Sequence, residues 1–361
     1  MQESLLQIAT RHQSHFERLK SHEVGKFDSF IRMMDKNIRE ILTRKGSGIT
    51  IRALKRQLDL IEVGITGALS DYREVWKQST KEIAISEAEF EQKSLSNVVD
   101  GVNFQLPSDT QIMAAVNAAP IAAAGGKVLS DVYKDFTKAE TKRIANIIRL
   151  GFAEGQTTQE IIKRVRGTNA AKFRDGTLAQ VKRAQEALVR TTLQHAATTA
   201  RMETLKDNSD VLDGVQWVST LDSRTGSADA ALDSKFFPFD KGPRPPLHIN
   251  CRCTVIGHLK PKYAALSKGR TRAARDVHMK DGKLQKGKAV SVQNKSYYSW
   301  LKMQPAKVQD SIIGPSRGKL LRNGGISSER FAELQLGKNF EPLNLKQMRQ
   351  LDPTAFMKAG L

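Results

Sequence analysis

The chain has 361 residues, 39% hydrophobic and 27% charged, with 58 Lys and Arg against 38 Asp and Glu, which suits a soluble, ordered protein of two or three domains. With charges at Glu3, Arg11, Glu17, Arg18 and Lys20 and no apolar h-region, no secretory signal peptide is expected. No run of about 18 strongly apolar residues occurs, which excludes a transmembrane helix, so no stable membrane association is expected.

Leu5, Ile8, Phe16, Leu19, Phe27, Phe30, Ile31, Met34, Ile38, Ile41 and Leu42 recur mostly at three, four or seven residues and predict one long amphipathic helix. Gly46-Ser47-Gly48 breaks it. A second helix follows from about Thr50 to residue 95, with Leu54, Leu58, Ile61, Ile65, Leu69, Val75 and Trp76 on the same spacing. The two form a long helical hairpin over 1–100, whose apolar stripe is expected to face a core within this chain. Residues 101–129, punctuated by Gly101, Pro107, Pro120 and Gly125-Gly126, read as a linker with short helices.

Helices resume over 129–166 and 178–205, with Thr157 or Thr158 as an N-cap ahead of Glu160. His195, among small and hydroxylated neighbours, reads as a packing residue. At Val215-Gln216-Trp217-Val218 the period changes, and extended pieces near 214–220, 235–239 and 251–257 predict a small antiparallel sheet. Short helices are expected at 297–301, 306–313 and 317–322, with Gly314-Pro315 as a stop. The predicted fold class is mainly α: an N-terminal helical hairpin and bundle, a small antiparallel β element at about 214–257, and a basic, partly irregular C-terminal region. The expected divisions are 1–100, a linker at 101–129, a domain at 130–258 and the basic region 259–361.

Both cysteines lie in one short stretch, His248-x-x-Cys251-x-Cys253. If the stretch is extended, side chains two apart project from the same face, so both thiols point one way. A disulfide between them would be strained, with its Cα atoms near the upper limit of about 6.8 Å. Two readings remain, reduced packed thiols and a structural zinc. Zinc takes four ligands, and Asp229 is the candidate to join His248, Cys251 and Cys253, with Asp222, Asp233 and His258 as substitutes.

Asp222-Ser223-Arg224-Thr225 has the composition of a polar turn, in which Asp222 accepts backbone N–H groups and Arg224 pairs with Asp229, Asp233 or Asp240. Catalysis would need a nucleophile, a base and an oxyanion donor together, and no G-x-S-x-G elbow, P-loop or HExxH helix is present. The chain is therefore not expected to be an enzyme.

The excess positive charge is concentrated at one end. Residues 255–361 carry 21 basic and 7 acidic side chains, fourteen of the twenty excess charges. The densest run holds Lys260, Lys262, Lys268, Arg270, Arg272, Arg275, Lys280, Lys283, Lys286 and Lys288. Such a run favours phosphate contact through counterion release. It lacks zinc-finger spacing or an aromatic RNA-binding signature, so the expected binding ignores sequence.

Gln216-Trp217-Val218-Ser219-Thr220-Leu221-Asp222 with Arg224-Thr225, Ala231-Leu232-Asp233, Pro245-Pro246-Leu247-His248 and Asn250-Cys251-Arg252-Cys253 resembles the Mu F-like phage head morphogenesis family. Leu188-Val189-Arg190-Thr191, Ala200-Arg201 and the stretch 297–324 extend the likeness to about 130–345. Family members often carry cysteines just after the Arg-Thr pair, where this chain has Gly226 and Asp229. The resemblance implies a structural minor head protein that acts in assembly at the portal region, with portal and other head proteins as partners. It also implies a place in the virion, in the capsid interior or portal region, after assembly in the host cytoplasm. Packaged double-stranded DNA then becomes the polyanion facing the basic region, and assistance in genome ejection a further role. The alternative is a zinc-dependent nuclease or toxin-like effector carried with the head.

Overall fold

A computed structural model describes residues 4–43, 51–263, 271–293 and 295–361. The helical breaker at Gly46-Ser47-Gly48 lies outside the described residues, as do Lys268 and Arg270. The architecture is mainly helical with two small antiparallel sheets.

The expected first helix is two. Helix α1 (Leu5–Gly25) begins at a capping box in which Ser4 and Gln7 satisfy each other's backbone N–H groups, and α2 spans Asp28–Thr43. Between them Lys26 and Phe27 donate to Glu23 and Val24, one residue short of helical spacing, at 3.2 and 3.3 Å. This tightened turn drives Phe27 inward, where its ring lies 4.5 Å from Tyr72 and 6.2 Å from Phe136. Periodicity runs unbroken through the turn, so the break does not show in the pattern of apolar residues.

Helix α3 (Ile51–Val98) has 48 residues and is about 72 Å long at 1.5 Å per residue. It serves two apolar cores. Its middle, Ile61 to Ala88, shares a core with α2, with α4 (Asp109–Ala118), α5 (Leu129–Ala153) and α6 (Thr158–Arg166), and with α7 (Thr177–Asp207) from Leu178 to Ala200. Its end, Leu95 and Val98, joins the start of α1 in a second core built mostly from residues after 202. The hairpin's stripe thus faces an internal core, as expected, and the cores run across the divisions read from sequence. The segment 101–129 contains α4, whose Ile112 and Val116 are buried, and a single 3-10 turn at Ala122–Ala124. Thr157 is the N-cap of α6, in a reciprocal box with Glu160.

The predicted sheet forms with the order β2-β1-β3, from β1 (Leu212–Val218), β2 (Phe236–Phe237) and β3 (Thr254–Leu259). Val215 faces Phe237 and Trp217 faces Val255. Gly257 lets β3 lie against α7, since a Cβ there would meet Leu205 Cδ2 at 2.8 Å and Leu212 Cδ2 at 3.0 Å. Helix α8 (Ser227–Leu232) bridges β1 and β2.

The basic run is not irregular over its second half. Residues Thr271–Lys280 (β4) and Lys283–Gln293 (β5) form a two-stranded ribbon that turns at Asp281-Gly282, both with positive φ. An Asp-Gly pair is the signature of that hairpin turn. The ribbon's root is tied to the body, with Ala274 and Val277 buried, Arg275 N–H donating to Leu221 O at 2.9 Å and Ala273 N–H to Thr10 Oγ1 at 3.2 Å. Short helices complete the second core: α9 (Tyr297–Lys302), α10 (Ala306–Ile313), α11 (Pro315–Asn323), α12 (Ser328–Glu333), α13 (Leu345–Leu351) and α14 (Pro353–Lys358).

Candidate functional site

The loops flanking β1 and β3 carry the polar chemistry. Cys251 and Cys253 precede β3, and both are free, buried thiols with no disulfide between them. A turn places them, with Cys251 N–H donating to His248 O at 3.1 Å and Asn250 in the left-handed region at φ 61°. Asn250 N–H donates to Thr191 Oγ1 at 3.0 Å, which fastens this turn to α7.

From α8, Asp229 reaches the same point. Ligand atoms of Asp229, Cys251 and Cys253 all lie within 4.8 Å of one another, and all three residues are buried. His248 stands at the rim with Nε2 2.6 Å from Asp229 Oδ2, and Cys251 Sγ lies 3.7 Å from that oxygen. Cys253 Sγ is 3.6 Å from Ser219 Oγ, which donates to Asp229 O at 2.6 Å. The hydrogen bond to Asp229, then that to Cys251, raises His248 to about 11. Cys253 and His248 lower the Cys251 thiol to about 6 despite burial, whereas burial pushes Cys253 well up.

Two sulfurs and a carboxylate are donors of the kind zinc takes, and the structure brings three of the four expected ligands together; His248 is outside that group and is hydrogen-bonded to Asp229. Asp229 Oδ1 is buried without a hydrogen-bond partner, a cost that a cation would relieve. The substitutes for Asp229 lie elsewhere. Asp222 and Asp233 are each taken up by an arginine, and His258 on β3 pairs with Asp213 at 2.7 Å.

Asp222 forms the second knot. Arg252 forks onto it with bonds of 2.6 and 2.8 Å, Arg224 N–H donates to it at 2.9 Å, and Tyr297 OH donates to its carbonyl at 2.9 Å. Burial alone would raise the Asp222 carboxyl, but the bidentate Arg252 contact and then Arg224 outweigh it and hold it below its usual range. Thr225 closes the turn by donating from Oγ1 to Thr220 O. The expected partners of Arg224 are corrected: it approaches Asp222 at 3.6 Å, not Asp229, Asp233 or Asp240, because its own loop turns it outward, half exposed.

Sequence reasoning missed a third knot and misplaced one of its members. Asp233 accepts from Ser219 N–H at 2.7 Å, Tyr297 N–H at 2.8 Å and Arg272 at 2.8 and 3.1 Å. Arg272 also donates to Ser219 O at 2.6 Å and is 1% exposed. It therefore cannot meet DNA. The signal was its setting in Thr-Arg-Ala-Ala, where small neighbours on a strand leave room for an inward guanidinium. Of the other described members of the basic run, Lys262, Arg275, Lys280, Lys283, Lys286 and Lys288 are exposed, and Lys260 donates to Asp210 O at 3.1 Å. His195 is buried with Nε2 3.2 Å from Val116 O, as a packing residue would be.

The family model described as phage Mu protein F like protein matches residues 142–256, from α5 into β3. The chain carries a Mu F-like segment. Asp222, Arg252 and the whole cysteine cluster fall inside the matched stretch, whereas the ribbon and α9 to α14 follow it. No curated protein and no solved structure matches the chain.

Proposed function

We propose that this chain is a structural minor head protein of a tailed phage, built into the head at the portal region and touching packaged double-stranded DNA through its basic ribbon. The observation that carries the structural reading is the state of the Mu F-like loops. Asp222 is locked by the half-buried Arg252 and one backbone N–H, and Asp233 by the buried Arg272 and two, so they hold elements together and have no free oxygen for proton transfer. Exposed lysines and Arg275 along β4 and β5 support the DNA contact, since cations on a protruding ribbon release counterions when they meet phosphate. No described helix is long and apolar enough to cross a membrane.

Asp229, Cys251, Cys253 and His248 would hold a structural zinc. When bound, the ion would supply a rigid cross-link between α8 and the strand entrance. Co-expression with portal and other head proteins tests the main reading: the chain should co-purify with portal assemblies and remain with purified heads. Its absence from heads would refute it. A cleft beside Asp229 and His248, bounded by Lys338, Asn339 and Glu341, favours a second reading, a zinc-dependent nuclease. DNA cleavage that disappears in Cys251→Ser would replace the structural role by that one.

A further inference from the structure

A cavity of about 100 Å³ lies where the middle of α1, the loop after β1 and the root of the ribbon meet. Arg224, Arg252 and Arg275 line it together with Glu17 and Asp222. Both carboxylates are already engaged. Asp222 takes the fork of Arg252, and Glu17 is held by Lys20 at 2.5 Å and Arg190 at 3.7 Å. Arg224 and Arg275 keep donors to spare: the first comes only within 3.6 Å of Asp222, and the second makes no ion pair among the described residues.

Lys286 of β5 feels the same field. Partial burial, and then repulsion from Arg224, Arg252 and Arg275, holds its ammonium below the usual lysine range, with Asp222 opposing. Like charges gathered in a concave site repel one another, and an entering anion converts that repulsion into attraction. The backbone bonds of Ala273 and Arg275 to Thr10 and Leu221 fix the root of the ribbon, so the cations are held in place before any ligand arrives.

We propose that this cavity seats one phosphate group of the DNA backbone, with Arg224 and Arg275 as its donors and Arg252 fixing its floor. The proposal rests on the reading of the ribbon as a DNA contact and narrows it to one anchored subsite. Guanidinium groups fork onto phosphate oxygens, whereas an ammonium acts as a point charge. The arginines therefore set where the backbone sits, and the outer lysines add attraction without position.

The test titrates the full-length protein with a fluorescent DNA duplex over a series of salt concentrations. Arg224→Gln and Arg275→Gln should each weaken binding alike on every duplex and reduce the slope of log affinity against log salt by about one. Inorganic phosphate should compete with the duplex for the wild type. Thermal unfolding checks that each variant is folded; Arg275→Gln, on the exposed ribbon, carries the test if Arg224→Gln is not. Unchanged slopes in both arginine variants, with a reduced slope in Lys280→Gln near the ribbon tip, would overturn the subsite and leave the ribbon reading standing. Wild-type protein that shows no salt-dependent binding would overturn both. Phosphate bound by wild type without any affinity for duplex would overturn the proposal in favour of a free-phosphate site.

Discussion

Replacing Arg272 by Met asks whether this arginine serves the fold or a nucleic-acid surface. Its guanidinium makes four hydrogen bonds, two to Asp233 at 2.8 and 3.1 Å, one to Ser219 O at 2.6 Å and one to Lys295 O at 3.2 Å. Met fills much of the space and makes none of them. Asp233 would keep the N–H groups of Ser219 and Tyr297, while Ser219 O would lose its arginine donor. Removing one partner of a buried pair costs about 3–5 kcal/mol, and with two N–H donors left on Asp233 the expected loss is about 3–4 kcal/mol. Urea unfolding should show a lower midpoint with unchanged denaturant dependence. A double variant, Arg272→Met with Asp233→Asn, should recover part of the loss, because no buried charge is then left alone and the amide oxygen can still accept from Ser219 or Tyr297 N–H. The folded fraction of Arg272→Met should bind DNA with the wild-type salt slope. Wild-type stability together with a slope reduced by about one would refute the reasoning and return Arg272 to the DNA surface.

Glu91 is buried, and that burial, opposed by Arg201 and reinforced by Glu87, pushes its carboxyl up to about 7. Its folded value lies above its ordinary 4.5, so the folded state holds the proton more tightly and stability falls as pH rises through that interval. Glu91→Gln should therefore stabilise the protein above pH 7, by on the order of 2 kcal/mol, and leave it nearly unchanged in acid, measured by urea unfolding across pH. A variant less stable at high pH would show the carboxylate to be favourable there. Thr157→Ala removes the cap of α6 and should cost about 1 kcal/mol in the same assay. Protein purified without added zinc should contain the metal stoichiometrically and lose both metal and stability on chelation. Cys253→Ser should be metal-poor and indifferent to the chelator, whereas a metal-free, equally stable wild type would refute the zinc site.

The apolar periodicity of the first hundred residues was enough to specify long helices facing an internal core, because a 3.6-residue repeat leaves an amphipathic helix few other ways to bury its stripe. It could not reveal the turn at Lys26-Phe27, where a tightened turn keeps Val24, Phe27 and Met34 pointing inward. The three short strands near Trp217 were equally legible, since period-two alternation is a local property. Charge density along the chain located the basic region but not its form. The ribbon's alternating burial is carried by Ala and Arg, which hydropathy does not distinguish as inside and outside, and only the Asp281-Gly282 turn announced it. Pairing was decided by the tertiary structure alone. Whether a given arginine faces water, as Arg275 does, or a buried carboxylate, as Arg272 does, depends on which distant residue the fold brings opposite. A guanidinium three positions from another has the same intrinsic chemistry, and the low-dielectric interior, which no stretch of sequence contains by itself, makes one a cross-link and the other a free cation.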